Sequence, residues 1–448
     1  MNGHGPESAA RLQALNQAVA ARPASAVAEH NLAAALGDMG DAEGALTAVR
    51  RAFSKGGDAP ETWLVFARAL MSSSRLTEAE EALRQTLMRR PDYADALRDQ
   101  AQLIWMRSGD AAAALAAIDA RLRAAPTAQL AGLRAGIARD ILGDEAAYQG
   151  LQPWLKGPHP SSLDATASAA AAGFDPALSL RHAEAAAAAA PADAEARVAR
   201  LAALMACGRS AEALPGLDAH LAVTPGDQYA LALRYVAWRV VGDPRALSPE
   251  DYRSLTAAFD LAAPREDREA WLADAAAGLR ALHPFRAQPL GQSIRSGVQA
   301  ALDPRFADDP AVAAIFDALA DPIGRYVSAM AGRTDPMSRR ADRSFEIIGA
   351  WSVRLTAGGR HSDHIHPNGW VSSALYVETP APSPGQPKAG WLRFGACRLG
   401  VGLELPPEHW IEPKPGRVAL FPSWMWHGTE PFTGGGERLT VAFDVQPR

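Results

Sequence analysis

Residues 358–370 read GGRHSDHIHPNGW and place His361, Asp363, His364 and His366 inside six positions. Side chains two residues apart on an extended chain point to the same side, so paired imidazole or carboxylate groups at that spacing could hold a divalent metal. Two pairs qualify: His361 with Asp363, and His364 with His366. On one continuous strand the two pairs face opposite ways, so a single ion could use only one of them unless the strand kinks. His427 lies 61 residues after His366 and offers a third ligand, and Arg438 follows it by eleven positions. Five of the eleven histidines fall between 361 and 427. His409, in PPEHWIEP, has no partner at ligand spacing and reads as a loop or surface residue. Trp370 and Trp424 flank the metal segments and read as candidate pocket walls.

The elements that must position these residues are strands. FEIIGAWSVRLTA, WVSSALYVE, WLRFG, RVALFP and RLTVAFDV are β-branched and aromatic runs bounded by glycine and proline. A histidine pair near the end of an early strand and a lone histidine before the last strand fit a jelly-roll barrel, in which distant strands meet across one open mouth. This β domain spans 345–448. Residues 241–344 read as a helical linker with support helices, including SPEDYRSLTAAF and one amphipathic helix over 309–332, opened by Asp309-Pro310 and closed by Gly332. Within it LHPFRAQPLGQSIRSGVQAALD is polar where a support helix would be apolar; it reads as a helix-capping loop, or as a source of substrate contacts through Gln292, Arg295 and Gln299. A barrel with its support helices is expected to bury its own core.

The first half is rich in alanine and leucine and repeats. Ala79, Ala114 and Ala213 each stand twelve residues before a proline, at 91, 126 and 225, and Pro191 to Pro225 is a step of 34. A helical hairpin of that length, with a small residue at the helix crossing and a proline closing the second helix, resembles the tetratricopeptide repeat. NLAAALGDMGDAEGALTAVRRAF, 31–53, is the first clear copy, with Gly40-Asp41 in the turn and Ala45 at the crossing. About three copies are clear and two degenerate, with 127–178 fitting poorly; the repeats fill 23–240, behind a tail or first helix over 1–22. Such a solenoid offers a groove for a peptide or protein, or serves as a rigid spacer.

Composition narrows the classes. With 45 Lys+Arg against 50 Asp+Glu, the net charge of -5 gives no basic excess for phosphate backbones, so nucleic acid is not an expected partner. Two cysteines about 190 positions apart provide neither a disulfide framework nor a thiolate zinc site. No apolar run suits a signal peptide or membrane span, and a cytoplasmic location is the expectation.

With these motifs in place, residues 345–448 resemble the iron(II)- and 2-oxoglutarate-dependent dioxygenases, in the prolyl-hydroxylase-like branch and a bacterial group often fused to tetratricopeptide repeats; 280–344 share the likeness weakly. The resemblance implies a double-stranded β-helix behind a helical solenoid, with Fe(II) and 2-oxoglutarate as cofactors. Aligned without a gap on RLTAGGRHSDHIH, the family's H-x-D pair falls on His364 and His366, its preceding aromatic on His361, its later lone ligand on His427. Its co-substrate tyrosine falls on Tyr376, and its co-substrate cation on Arg438. His366 departs from the usual carboxylate, which leaves the ligand face one negative charge poorer. The implied activity is hydroxylation of a protein, peptide or small molecule with release of succinate and CO2. The alternatives are a repeat scaffold whose barrel binds metal without turnover, and a three-histidine cupin-like enzyme that needs no Arg438. The implied partner is a protein or peptide substrate in the repeat groove.

Overall fold

The computed structural model describes residues 6–264, 266–333, 335–341 and 344–447; residues 1–5 of the expected tail lie outside them. A first helix, Pro6–Ala21, leads into six helical hairpins, beginning with Ala26–Asp38 against Ala42–Ser54 and ending with Ala194–Ala206 against Ser210–Val223. The local causes are visible in the first hairpin. Gly40 turns the chain at φ 84°, and the Asp41 carboxylate caps the next helix by accepting from the Gly44 amide. The crossing alanines 45, 79, 114 and 213 are at most 1% exposed, so the helices approach as the repeat pattern requires. The poorly fitting stretch 127–178 is also helical, with Ala128–Leu142, Asp144–Leu151 and Ser161–Ala171 packing in sequence, so the solenoid runs without a break.

Eleven strands follow among the described residues: β1 (Ala257–Asp260), β2 (Ile294–Gln299), β3 (Phe345–His361), β4 (Val371–Glu378), β5 (Leu392–Phe394), β6 (Cys397–Leu399), β7 (Leu403–Leu405), β8 (His409–Ile411), β9 (Arg417–Pro422), β10 (His427–Thr429) and β11 (Arg438–Pro447). They form a six-stranded antiparallel sheet in the order β1-β9-β4-β11-β3-β2, a three-stranded sheet β10-β5-β8 and the hairpin β6-β7. Two expectations are corrected here. The span 241–344 is not wholly helical: AAFD forms β1 and IRSGVQ forms β2, so the large sheet starts well before 345, and the polar 282–303 segment is a loop and edge strand rather than a helix cap. An edge strand buries one side and leaves the other to solvent, which explains its polarity. The expected 309–332 helix is two, Pro310–Ala318 and Ala320–Met330, meeting at Leu319.

The repeats and the barrel are joined along the turns between the paired helices. The carbonyl of Met106, near a helix end, accepts from the amides of Arg286 and Ala287, and the Ala172 carbonyl accepts from Val401. Phe285 is buried among Leu64, Leu70 and Met106, and Leu290 among Leu115, Ile118 and Ile137. Arg239 donates to the carbonyls of Gly395 and Pro406 and pairs with Glu408. One apolar cluster runs from Leu180 through the support helices to Val445 on β11. Tyr235, on the helix Gln228–Val241 that follows the last hairpin, stacks on Trp424 at 4.3 Å and 10°. Trp424 therefore closes the junction and does not wall the site, so Trp424→Ala is expected to lower whole-chain stability by about 3–5 kcal/mol, as for other buried large-to-small changes, in chemical denaturation.

A second expectation concerns pH. His283 is 8% exposed, and burial pushes its pKa down to about 4, with the Arg354 charge adding. The folded chain keeps it neutral while the unfolded chain protonates it near pH 6.5, so stability is lost as pH falls from about 6.5 towards 4 and is fully present above. Replacing His283 by Gln should flatten that part of the denaturation-versus-pH curve; an unchanged slope would show that other groups set it.

Candidate metal centre and co-substrate pocket

Backbone pairing brings the histidines together. β3 ends at His361, and His364 then forms an isolated antiparallel bridge with His427, each amide bonding the other's carbonyl at 2.9 and 3.0 Å. Two residues on, the His366 amide bonds the Ser423 carbonyl at 2.9 Å. The 364–366 segment thus lies along 423–427, and the period-two alternation turns both ring systems to one side. The rings of His364 and His427 have centroids 4.2 Å apart, those of His366 and His427 5.1 Å, and His364, His366 and His427 each offer a ligand atom within 4.8 Å of the others.

The hydrogen bonds behind the rings set which nitrogen faces inward. Nδ1 of His364 meets the Ser362 carbonyl at 2.8 Å, Nδ1 of His427 the Met425 carbonyl at 2.9 Å, and Nδ1 of His366 the Asp444 carboxylate at 2.7 Å. All three partners only accept, so each Nδ1 carries the proton and each Nε2 lone pair is directed into the cluster. His364 and His366 place their Nε2 atoms 3.3 Å apart. Two lone pairs facing each other at that distance repel, and a cation between them removes the repulsion. Burial lowers the pKa of His364 to about 3, with the His366 charge adding, and holds His427 well below its ordinary value. Neutral imidazoles are the ligand form, and the donor set suits a divalent transition metal.

The rival pair is not assembled. The Asp363 carboxylate turns to the small sheet, where Arg393 of β5 grips both oxygens at 2.9 and 2.7 Å. His361 ends up beside the cluster because the strand stops there. Its ring stacks 5.8 Å from that of His364, and its Nδ1 is 2.9 Å from the Ser293 hydroxyl, which also lies 3.3 Å from His364 Nε2. Burial, with the His364 and Arg438 charges adding, pushes the His361 pKa well down.

The cluster opens into a cavity of about 1000 Å³. β11 supplies Arg438, Thr440, Ala442 and Asp444 to its wall, every second residue, while Leu439, Val441, Phe443 and Val445 face the core. Arg438 is 2% exposed, and its Nε and Nη1 have no hydrogen-bond partner. No ion pair holds it among the described residues: Glu437 approaches Arg280 and Arg354, and Asp444 holds His366. A buried guanidinium with free N–H groups fits a carboxylate arriving from the cavity. Tyr376 lies behind it, fully buried, with its ring 5.0 Å from the guanidinium and its hydroxyl without a partner. It does not line the cavity. Trp351, Val353, Leu392 and Phe421 give the cavity apolar walls. Trp370 is buried in the core and donates to the Met337 carbonyl, so Trp351, whose ring meets His366 edge-on at 6.2 Å, takes the expected wall position. His409 sits in β8 and stacks on Phe394. Gln292, Arg295 and Gln299 all reach the cavity.

Residues 349–444 match the family model described as "Putative 2OG-Fe(II) oxygenase", and residues 37–103 match that of the tetratricopeptide repeat. The chain joins a tetratricopeptide-repeat region to a 2OG-Fe(II) oxygenase domain. The cofactors of that oxygenase family are Fe(II) and 2-oxoglutarate. Similar solved structures include a prolyl-4-hydroxylase from Pseudomonas putida, at 18% identity and TM-score 0.29, covering 45% of this chain and 97% of that one. A prolyl hydroxylase from Trichoplax adhaerens, in complex with a hypoxia inducible factor peptide fragment, is 15% identical with TM-score 0.31, covering 44% of this chain and 85% of that one. A thermophilic TPR protein of Thermus thermophilus is 19% identical with TM-score 0.31, covering 40% of this chain and all of that one. Among curated proteins none matches the chain. Among the described residues no helix of the oxygenase domain or the repeats is long and apolar enough to cross a membrane.

Proposed function

We propose that the oxygenase domain is an active iron(II)- and 2-oxoglutarate-dependent hydroxylase, with His364, His366 and His427 as the metal ligands and Arg438 as the anchor of 2-oxoglutarate. The observation that carries this reading is the unpaired, buried Arg438 guanidinium sharing one cavity with three converging Nε2 lone pairs. A site that only bound metal would have no use for a buried cation without a counter-ion, which costs several kcal/mol. That cost argues against both the inactive scaffold and the cupin-like enzyme.

In this reading each side chain has a separable task. The three histidines present one face of donors, held by their Nδ1 hydrogen bonds, and leave the opposite face to the cavity. Arg438 would take the distal carboxylate of 2-oxoglutarate in a planar fork, and Tyr376, outside the cavity lining, supports the guanidinium from behind. His361 and Ser293 offer hydrogen-bonding groups beside His364, at the end of the co-substrate nearer the metal. Trp351, Val353, Leu392 and Phe421 exclude water. Bound iron(II) and 2-oxoglutarate would supply, with O2 as the oxidant, an oxidative decarboxylation in which one oxygen atom goes to succinate, CO2 is released, and the other oxygen atom enters a substrate C–H bond.

The cavity bears on the substrate. The cavity lining combines Gln288, Gln292 and Asn368 of the oxygenase half with Arg139, Asp140 and Asp144 of the repeats, so the repeats form part of the same cavity as the histidines. This favours a protein or peptide over a small metabolite, with the repeat turns beside the barrel as part of its binding surface. Incubation with Fe(II), 2-oxoglutarate and O2 tests the activity: iron-dependent succinate is expected in the wild type, and loss of that succinate in Arg438→Ala. Wild-type protein that binds iron yet forms no succinate, alone or with peptide libraries, would favour the inactive scaffold.

A further inference from the structure

We infer that Asp444 is a positioning residue for the metal, supplying from behind His366 the negative charge that a three-histidine face lacks. The inference rests on the metal-site reading above and extends it to a residue that does not touch the ion. His364 and His427 lean on backbone carbonyls, whereas His366 leans on a carboxylate. A carboxylate acceptor fixes the ring more strongly than a carbonyl and raises electron density at the far nitrogen, so His366 becomes the strongest donor of the three.

The surroundings of Asp444 are built for this. The residue is 5% exposed, and Oδ1 also accepts from the Ser372 hydroxyl at 2.7 Å, itself 2.8 Å from the Ser423 hydroxyl. Gly369 leaves room for the group: a Cβ there would come within 2.3 Å of the Ser423 hydroxyl and 3.2 Å of the Asp444 carboxyl carbon. Among the described residues no lysine or arginine pairs with Asp444; its one ionic contact is His366. A buried carboxylate without a basic partner is costly. What offsets the cost is positive charge on the far side of the imidazole, where the three Nε2 atoms converge. The usual ligand carboxylate has, in effect, moved one hydrogen bond outward, from position 366 to position 444.

Asp444→Asn tests this, because the amide oxygen can still accept from His366 and Ser372 while the charge is gone. Wild-type and variant proteins would be titrated with Co(II) and followed by its d–d absorption, with thermal unfolding of each metal-free protein measured alongside. The expected result is a 10- to 100-fold rise in the Co(II) dissociation constant and a shifted absorption band, with no fall in the unfolding temperature of the metal-free protein. A purely structural role would move the unfolding temperature and leave the band in place. Wild-type affinity and band in Asp444→Asn would overturn the inference and leave the three-histidine site standing. Absence of Co(II) uptake by the wild-type protein would overturn both. Should Asp444→Asn not fold, Ser372→Ala loosens the carboxylate without touching His366: a severalfold weaker Co(II) affinity is expected, and an unchanged one would overturn the role of Asp444.

Discussion

Arg438→Ala is expected to raise the 2-oxoglutarate dissociation constant of the metal-loaded protein by roughly thirtyfold to several thousandfold. The side chain lines the cavity, is 2% exposed, and its Nε and Nη1 have no hydrogen-bond partner. Truncation leaves the distal carboxylate desolvated against Thr440 and apolar walls, a loss of about 2–5 kcal/mol for a buried charge pair, which corresponds to that range at about 1.4 kcal/mol per decade. Metal affinity should stay within about threefold, since the guanidinium does not belong to the histidine cluster. Arg438→Lys should fall between, keeping the charge and losing the planar fork. Calorimetric titration under argon measures it. Arg393 is held by Asp363 and Glu430, and Arg354 faces Glu437, so neither can substitute without rearrangement; Arg295 of β2, which donates to the carbonyls of Gln292 and Ile294, is a further cation on the cavity lining. An unchanged constant in Arg438→Ala would mean that Arg438 is not the anchor and that another cation on the lining, such as Arg295, holds the carboxylate.

The ligand exchanges should have a comparable effect on the metal. His364→Ala, His366→Ala or His427→Ala removes one of three donors, on the order of 3 kcal/mol per ligand, which is more than a hundredfold in affinity. Asp363→Ala provides the contrast. It breaks the bidentate pair with Arg393, which ties the metal segment to β5, but removes no donor, so metal affinity should stay within about tenfold. Chelator competition with Fe(II) under argon separates the four variants. Metal lost in Asp363→Ala and kept in His366→Ala would reverse the assignment.

The chemistry-bearing residues were legible because they are rare types at regular spacings. His364 and His366 differ by two and lie on one side, and RLTVAFDV carries Arg438 and Asp444 on one face of a strand. The same alternation reaches Asp444, but the run RLTVAFDV by itself does not show that this carboxylate meets His366, which lies 78 residues earlier in the chain. Ser293 was not legible, since a single serine in a polar loop carries no periodic signal; it reaches His361 only because the loop is anchored in the repeats through Phe285 and Leu290. β1 and β2 were missed for a related reason. AAFD follows a real helix without a break in composition, and IRSGVQ is an edge strand with a polar outer side. The crossing alanines identified the repeats, whereas the shared core that joins them to the barrel depends on contacts such as Tyr235 with Trp424, about 190 residues apart.

The central claim is that the three histidines and Arg438 form one site for Fe(II) and 2-oxoglutarate. Anaerobic addition of 2-oxoglutarate to the Fe(II)-loaded whole chain, followed through the visible metal-to-ligand charge-transfer band, tests it most directly. The band should appear and saturate at one equivalent in the wild type, fail to form in His427→Ala, and require far more 2-oxoglutarate in Arg438→Ala. An iron-loaded wild-type protein that shows no band at saturating 2-oxoglutarate would contradict the account.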